Sequence, residues 1–208
     1  MNFLIVFAHP EPQSLNGQLL RAATSHLTAL GHQVKVTDLF QEGFKSHANQ
    51  DDFTAYQADF FDLQAAQQQG QLNGTLADDI QQEQTKLLWA DCIIFQFPLW
   101  WFSVPAPLKG YIDRVFTMGF AYGGTTALAG KKVLISTTTG APQGAWTPER
   151  KGTMAQVLFP ITHGTFSLLG LEVLTPFVAY GTKRFGASEK STTIKRFTTT
   201  LAQIAAAP

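Results

Sequence analysis

Two prolines enclose the most aromatic segment of the chain, and its residue types suit the binding of a flat ring. Between Pro98 and Pro105, the residues Trp100, Trp101 and Phe102 are consecutive. A planar ligand would account for this run, because its faces need apolar cover and its edge needs backbone donors. The alternative is an aromatic cluster in the core that packs the following helix. Composition alone favours that alternative, because buried clusters are commoner than exposed aromatic patches.

A polar segment at residues 9–16, with the sequence HPEPQSLN, could hold a phosphate group. It contains neither the lysine motif of a P-loop nor a G-x-G-x-x-G fingerprint. Ser14 and Asn16 nevertheless offer side-chain donors, and the start of a predicted helix supplies unpaired N–H groups and a positive dipole end. The alternative is that both residues cap the helix. His9, taken alone, is interpreted as a hydrogen-bonded structural residue.

A third segment, Thr138-Thr139-Gly140-Ala141, combines hydroxyl groups with a glycine at the end of a predicted strand. Such residues allow the backbone to approach a ligand closely, and they are equally typical of an ordinary turn. A basic site for a 2′-phosphate could come from Lys183, Arg184 or Arg150, although basic residues near loops are usually solvated.

The elements that position these segments alternate between strands and helices. Apolar or β-branched runs predict strands at residues 3–8, 33–38, 92–97, 132–137 and 171–176. Helical spacing predicts helices from a Ser14 cap to Gly31, from a Thr75 cap to Ala90, and over residues 105–116 and 189–206. Residues 40–74 are predicted to form an excursion with one or two short helices. This order indicates an open parallel sheet with helices on both faces, in which ligands bind beyond the carboxyl ends of the strands.

The composition predicts one domain over residues 1–208 and excludes several functional classes. Fifteen basic residues balance fifteen acidic ones, which gives no support to a nucleic-acid partner. The single cysteine, Cys92, can neither form an internal disulfide nor ligate zinc alone, so no metal site is expected. The N-terminus has no basic leader, and the uncharged stretches are broken by proline or glycine. We therefore expect a cytoplasmic protein without a membrane span.

Three segments together resemble the NAD(P)H quinone oxidoreductases of the flavodoxin-like fold, which include the mammalian quinone reductases. They are FLIVFAHPEPQSLN, then FQFPLWWFSVPAPLKGYIDRVFTMGFAYG, then STTTGA. The resemblance implies a five-stranded doubly wound sheet and hydride transfer from NAD(P)H through a bound flavin to quinones or similar flat acceptors, with ping-pong, two-electron kinetics. The segment GQLNGTLADDIQQEQTKLLWAD and the excursion at residues 40–74 resemble the FAD-binding members, so FAD is expected, with FMN as the alternative.

The resemblance also implies roles for individual residues and for a second copy of the chain. The loop that holds the flavin phosphates in the family is matched by His9, Ser14, Leu15 and Asn16. The segment that lies along the isoalloxazine is matched by Pro98, Leu99, Trp101 and Phe102. The loop on the pyrimidine side of the ring is matched by Thr138, Thr139 and Gly140. The substrate pocket is expected to contain Trp101, Phe102 and Trp146, together with Tyr122 from the partner of a homodimer. The uncharged residues 152–171 favour such a dimer, unless the terminal helix covers them.

One departure from the family pattern affects the proton chemistry. In the mammalian members, a tyrosine and a histidine that follow the third segment assist hydride transfer. The matching positions here are Trp146 and Gly152, which cannot pass a proton, so no catalytic acid is assigned. The alternative function is that of a flavin-binding regulatory subunit of a potassium efflux system, a role that some bacterial relatives have.

Overall fold

A parallel sheet forms the centre of the molecule. In a computed structural model, which describes residues 1–125 and 127–207, the strands are β1 (Asn2–Phe7), β2 (Gln33–Asp38), β3 (Cys92–Pro98), β4 (Lys132–Thr138), β5 (Glu172–Val173) and β6 (Phe177–Ala179). Their order is β2-β1-β3-β4-β5, and β6 also pairs with β4. Every pairing is parallel. The predicted doubly wound sheet is therefore confirmed.

The last strand position differs in detail from the prediction of one strand at residues 171–176. Two short strands, β5 and β6, pair with β4 in succession, through Lys132 with Glu172 and then Ser136 with Phe177. Pro176 lies between them and has no N–H to donate to the ladder, so the pairing is interrupted there. The interruption leaves the end of β6 beside the end of β4.

Within the described part of the chain, six α-helices surround the sheet: α1 (Leu15–Ala29), α2 (Leu63–Asn73), α3 (Asp78–Trp89), α4 (Ala106–Val115), α5 (Met154–Ile161) and α6 (Ala187–Ala206). Two predicted helix starts were wrong. The helix α3 begins after Ala77 without a side-chain cap, so Thr75 does not cap it, and α6 begins two residues before Glu189. The sequence interpretation assigned no helix to residues 152–171, where α5 continues into the π-helical turn Thr162–Ser167.

The helices divide between the two faces of the sheet. The apolar faces of α1 and α6 share one core with Phe3, Ile5 and Leu134. The other core takes residues from α3, α4, α5 and the π-helical turn. Because α6 lies on the opposite face, it does not cover residues 152–171, and that alternative from the sequence was wrong. Among the described residues, no helix is both long and apolar enough to cross a membrane.

The excursion at residues 40–74 is attached to the main body by buried charges. It contains a short 3-10 turn, Gln50–Asp52, and α2. The Arg114 guanidinium, on α4, donates to Asp52 at 2.9 Å and to Asp79 at 2.7 Å. Burial alone would raise the pKa of Asp52, but hydrogen bonds from Arg114 and Lys45 outweigh it and lower the pKa. The excursion is thereby held against α3 and α4.

Candidate active site

The loops that follow β1, β3, β4 and β6 enclose a cleft of about 590 Å³ at the carboxyl edge of the sheet. This is the edge where ligands bind in open α/β sheets. The cleft is lined by His9, Pro98, Leu99, Trp100, Trp101, Thr138, Gly140, Thr182 and Lys183. No carboxylate is among these residues. The lining therefore combines aromatic surface, hydroxyl groups and one lysine cation.

A strained turn presents the aromatic side chains. The N–H of Trp100 donates to the carbonyl of Ser103 at 3.1 Å, and the N–H of Ser103 donates back at 3.0 Å. The two residues between them, Trp101 and Phe102, have φ angles of 48° and 62°. Side chains other than glycine rarely adopt this left-handed region, and each instance costs about 1–3 kcal/mol. Strain of this kind clusters at ligand-binding sites.

The exposure of the turn decides between the two interpretations of the aromatic segment. The side chain of Trp101 is 94% exposed, and those of Trp100 and Phe102 are also exposed. They do not form the core cluster that composition favoured. The N–H groups of Trp101 and Phe102 have no acceptor within the described chain, so the turn offers two backbone donors beside its aromatic faces. These are the features that a flat ring with a polar edge requires.

Contacts across the cleft edge join the other loops to this turn. Trp100 packs against His9, with ring centroids 6.3 Å apart, and Phe102 lies edge-on to Trp146 at 5.9 Å. The amino group of Lys151 is 5.7 Å from the ring centre of Phe102. The loop after β4 is thus folded towards the aromatic turn, and three of the four residues predicted for the substrate pocket lie there.

Tyr122, the fourth residue predicted for the substrate pocket, lies elsewhere in this chain. Its hydroxyl donates to the side-chain oxygen of Gln67 at 3.2 Å. It lines a separate hollow of about 330 Å³ between α2, α4 and the π-helical turn, which also includes Leu168. Gly152, with a φ of 75°, is at the end of the loop after β4 and does not line the cleft.

The first loop uses its polar side chains for structure. The Ser14 hydroxyl accepts from the N–H of Gly17 at 3.1 Å and caps α1. The buried Asn16 amide donates to the Thr138 hydroxyl at 2.8 Å and connects α1 to the end of β4. A Cβ at Gly17 would be 2.0 Å from the carbonyl oxygen of Pro12, so the glycine permits the loop to lie against the helix. Leu15 is buried beside them.

The backbone N–H groups of this loop and the ring of His9 therefore remain available to bind an anion. The N–H groups of Leu15 and Asn16 have no acceptor among the residues that the structure describes. The N–H of Glu11 donates to Nδ1 of His9 at 2.9 Å, which places the proton of the neutral ring on Nε2. Burial lowers the pKa of His9 against the opposing effect of Glu11. His9 is thus a neutral donor at the cleft wall.

Two residues that line the cleft, Trp100 and Thr182, were not among the predicted site residues, and Lys183 was predicted only as one of three candidates for a basic site. Trp100 belongs to the same aromatic run as its predicted neighbours. Thr182 and Lys183 follow the last strand, and the rule that ligands bind beyond strand ends applies to that loop as well. Thr138, Thr139 and Gly140 occupy the expected loop, where the N–H of Thr139 donates to the carbonyl of Ala179 at 2.9 Å.

Comparisons with known proteins agree with this architecture. A family model described as having a flavodoxin-like fold matches residues 1–204. Ribosyldihydronicotinamide dehydrogenase (quinone) of Mus musculus is 39% identical over 86% of this chain and 80% of its own length. NAD(P)H dehydrogenase (quinone) 1 of Cavia porcellus is 38% identical over 86% of this chain and 68% of its own length.

A solved structure extends the similarity to three dimensions. One crystal structure is of a protein described as a quinone reductase from Klebsiella pneumoniae, which is 39% identical in sequence. The two structures superpose with a TM-score of 0.94, over 98% of this chain and 85% of the Klebsiella chain. None of these three proteins is described as a subunit of a potassium efflux system, so that alternative gains no support. The family, fold class and enzyme class predicted from the sequence are confirmed. The chain belongs to the flavodoxin-like family of NAD(P)H quinone oxidoreductases.

Proposed function

We propose that this protein is a single flavin-binding domain that transfers hydride from NAD(P)H, through its bound flavin, to quinones or similar flat acceptors. The observation that carries the proposal is the position of Trp101, 94% exposed on a strained turn at a cleft without carboxylates. An exposed indole in a left-handed conformation has no role in the core. It suits a site whose stacking partner is a ligand.

The residues present fit a flavin. The aromatic turn offers faces for the ring and two unused N–H donors for its polar edge. The start of α1, with its unpaired N–H groups and the neutral His9, suits the phosphate end. The residues that we propose to hold the flavin are His9, Ser14, Leu15, Asn16, Pro98, Leu99, Trp101, Phe102, Thr138, Thr139 and Gly140. When bound, the flavin supplies the redox chemistry, accepting hydride and passing two electrons on.

The protein then contributes binding and orientation rather than acid–base catalysis. Trp101, Phe102 and Trp146 would position a flat donor or acceptor over the ring and exclude water. Nicotinamide and acceptor would use the same apolar space in turn, which predicts ping-pong kinetics. The resemblance matches Trp146 and Gly152 to the proton-relay positions of the mammalian members, and neither residue can pass a proton, so we assign no catalytic acid.

FAD is the proposed form of the flavin, with FMN as the alternative. The excursion at residues 40–74 is an ordered part of the fold, tied to α4 by the buried pair of Arg114 with Asp52. A segment fixed in this way could cover the adenosine half of a dinucleotide. Denaturing the purified protein and identifying the released flavin by chromatography tests this choice. Isolation of FMN alone from flavin-replete cells would overturn it.

We also propose that the working unit is a homodimer. Leu168 is 75% exposed and Phe159 is 56% exposed, and α6 packs on the opposite face of the sheet. Tyr122 and Leu168 share the 330 Å³ hollow on this uncovered side. Large apolar side chains exposed on an uncovered face of the sheet favour an interaction surface there. Light scattering at micromolar concentration should give twice the chain mass of 22.8 kDa. A fully active monomer would refute the homodimer and, with it, the expected contribution of Tyr122 from a second copy of the chain to the substrate pocket.

The activity itself is tested by turnover. Purified protein should be yellow, and it should oxidise NADPH or NADH steadily in the presence of benzoquinone, far above the rate with flavin removed. Protein that stays colourless after FAD and FMN are added would contradict the proposal. Bound flavin without quinone-dependent turnover would instead favour a binding role.

A further inference from the structure

The turn that follows β6 is fixed to the loop that follows β4. The N–H of Gly181 donates to the carbonyl of Ala141 at 2.8 Å, and the N–H of Thr182 donates to the carbonyl of Thr139 at 2.9 Å. The Thr182 hydroxyl donates to the same Thr139 oxygen at 3.2 Å. Gly181 has a φ of 72°, a conformation that glycine adopts without strain. These bonds determine where the next residue, Lys183, leaves the backbone.

The stem of Lys183 lies along Gly140. A Cβ placed on Gly140 would be 3.1 Å from Cε of Lys183, 3.3 Å from Cδ and 3.5 Å from Cγ. Because Gly140 has no side chain, three methylene groups of Lys183 can pack directly against its backbone. Arg184 and Arg150, which the sequence offered as equal candidates for a basic site, do not line the cleft, whereas Lys183 does.

The charge of Lys183 is not neutralised by the cleft. No carboxylate lines it, and the ion pairs found between described residues do not include Lys183. The hydroxyl-bearing residues Thr138 and Thr182 line the same cleft, as does the neutral His9. An ammonium group beside hydroxyl groups, with no competing anion, suits a phosphate ester, because phosphate accepts several hydrogen bonds and carries negative charge.

We propose that Lys183 binds a phosphate group of the nucleotide that occupies this cleft. The inference rests on the proposed function and selects Lys183 from three basic residues that the sequence left equivalent. The phosphate has two possible sources, the bound flavin nucleotide and the 2′-phosphate of NADPH. Both present the same chemistry to the lysine, and the experiment below separates them.

The test compares three variants of the full-length chain. Lys183→Met keeps the stem on Gly140 and removes the charge, Lys183→Arg keeps the charge, and Arg184→Met is the matched control on the same turn. Dissociation constants for FAD, FMN and riboflavin are measured from flavin fluorescence, at salt concentrations of about 0.05 M and about 0.5 M. Michaelis constants for NADPH and NADH are measured in parallel, and unfolding temperatures check the fold.

If the flavin supplies the phosphate, Lys183→Met should weaken FAD or FMN about tenfold and riboflavin less than twofold. The difference should shrink at high salt, Lys183→Arg should bind near the wild-type strength, and Arg184→Met should not differ. If NADPH supplies the phosphate, flavin affinity should be unchanged and the Michaelis constant for NADPH alone should rise about tenfold.

Two results would overturn the inference. One is Lys183→Met with unchanged flavin affinities and an unchanged preference between NADPH and NADH. The other is an equal loss of affinity for riboflavin and FMN, which would mean that the lysine acts on the ring or on the fold. A wild-type chain that binds no flavin would refute the proposed function and the inference with it, and this result is distinct from both.

Discussion

Replacing Trp101 by alanine should separate its contribution to binding from its contribution to folding. The indole is 94% exposed, so its removal creates no cavity, and the unfolding temperature should change by about 2 °C or less. Alanine retains a Cβ at the φ of 48° and therefore keeps the strain of the turn, which glycine would relieve. Any loss of ligand affinity can then be assigned to the aromatic face.

The expected size of that loss follows from the area that a stacked ring would cover. A tryptophan can bury about 150–250 Å², of which one face supplies about 80 Å². At ~25 cal/mol per Å², this area is worth about 2 kcal/mol, or roughly thirtyfold in flavin affinity. The flavin dissociation constant and the rate of flavin reduction by NADPH, measured in a stopped-flow instrument, report the effect.

Two controls make the result interpretable. Trp101→Phe keeps an aromatic face and should bind flavin within about threefold of the wild type. Leu88→Ala removes an exposed apolar side chain from α3, away from the cleft, and should change neither flavin affinity nor the reduction rate. A folded Trp101→Ala variant with wild-type affinity and reduction rate would refute the stacking argument and the site built on it.

Three further substitutions test other parts of the structure by thermal unfolding. Arg114→Met takes one of two cationic partners from the buried Asp52, which keeps Lys45, and removes the partner of the more exposed Asp79. It should cost about 3 kcal/mol, the lower end of the range for breaking a buried pair, a fall of roughly 10 °C. Lys109→Met in an exposed pair should cost under about 1 kcal/mol. Burial lowers the pKa of His9, so the unfolded chain takes up the proton first and the free energy of unfolding should fall as pH drops below 6.5. His9→Gln should lack this part of the pH dependence, and identical pH profiles of the two proteins would contradict the assignment. Gly17→Ala places a Cβ 2.0 Å from a carbonyl oxygen of the first loop and should lower both the unfolding temperature and flavin affinity, while Gly144→Ala, with open space around it, should be neutral.

Sequence patterns alone were enough to predict the sheet and the loops that carry the site. Continuous apolar runs such as residues 3–8 are typical of strands buried on both faces, and the alternation with helical periodicity leaves few topologies for a chain of this length. The fifth strand was predicted only approximately. Its interruption at Pro176 depends on which backbone carbonyls of β4 require an N–H donor from the neighbouring strand. The helix in residues 154–161 was missed because it is short and contains Pro160, a residue that usually ends a helix.

The contacts of the individual site residues could be learned from the folded chain but not from the sequence. Composition could not reveal whether the tryptophans are buried, and the answer depends on a turn with two left-handed residues, Trp101 and Phe102. Asn16 could have offered its amide to a ligand, but Thr138, distant in sequence, takes that hydrogen bond. Lys183 and two arginines were equivalent in the sequence, and hydrogen bonds from the turn after β6 to the loop after β4 bring only the lysine to the cleft. Exposure, partner choice and charge placement depend on contacts between distant segments, whereas strands and helices are encoded locally by periodicity.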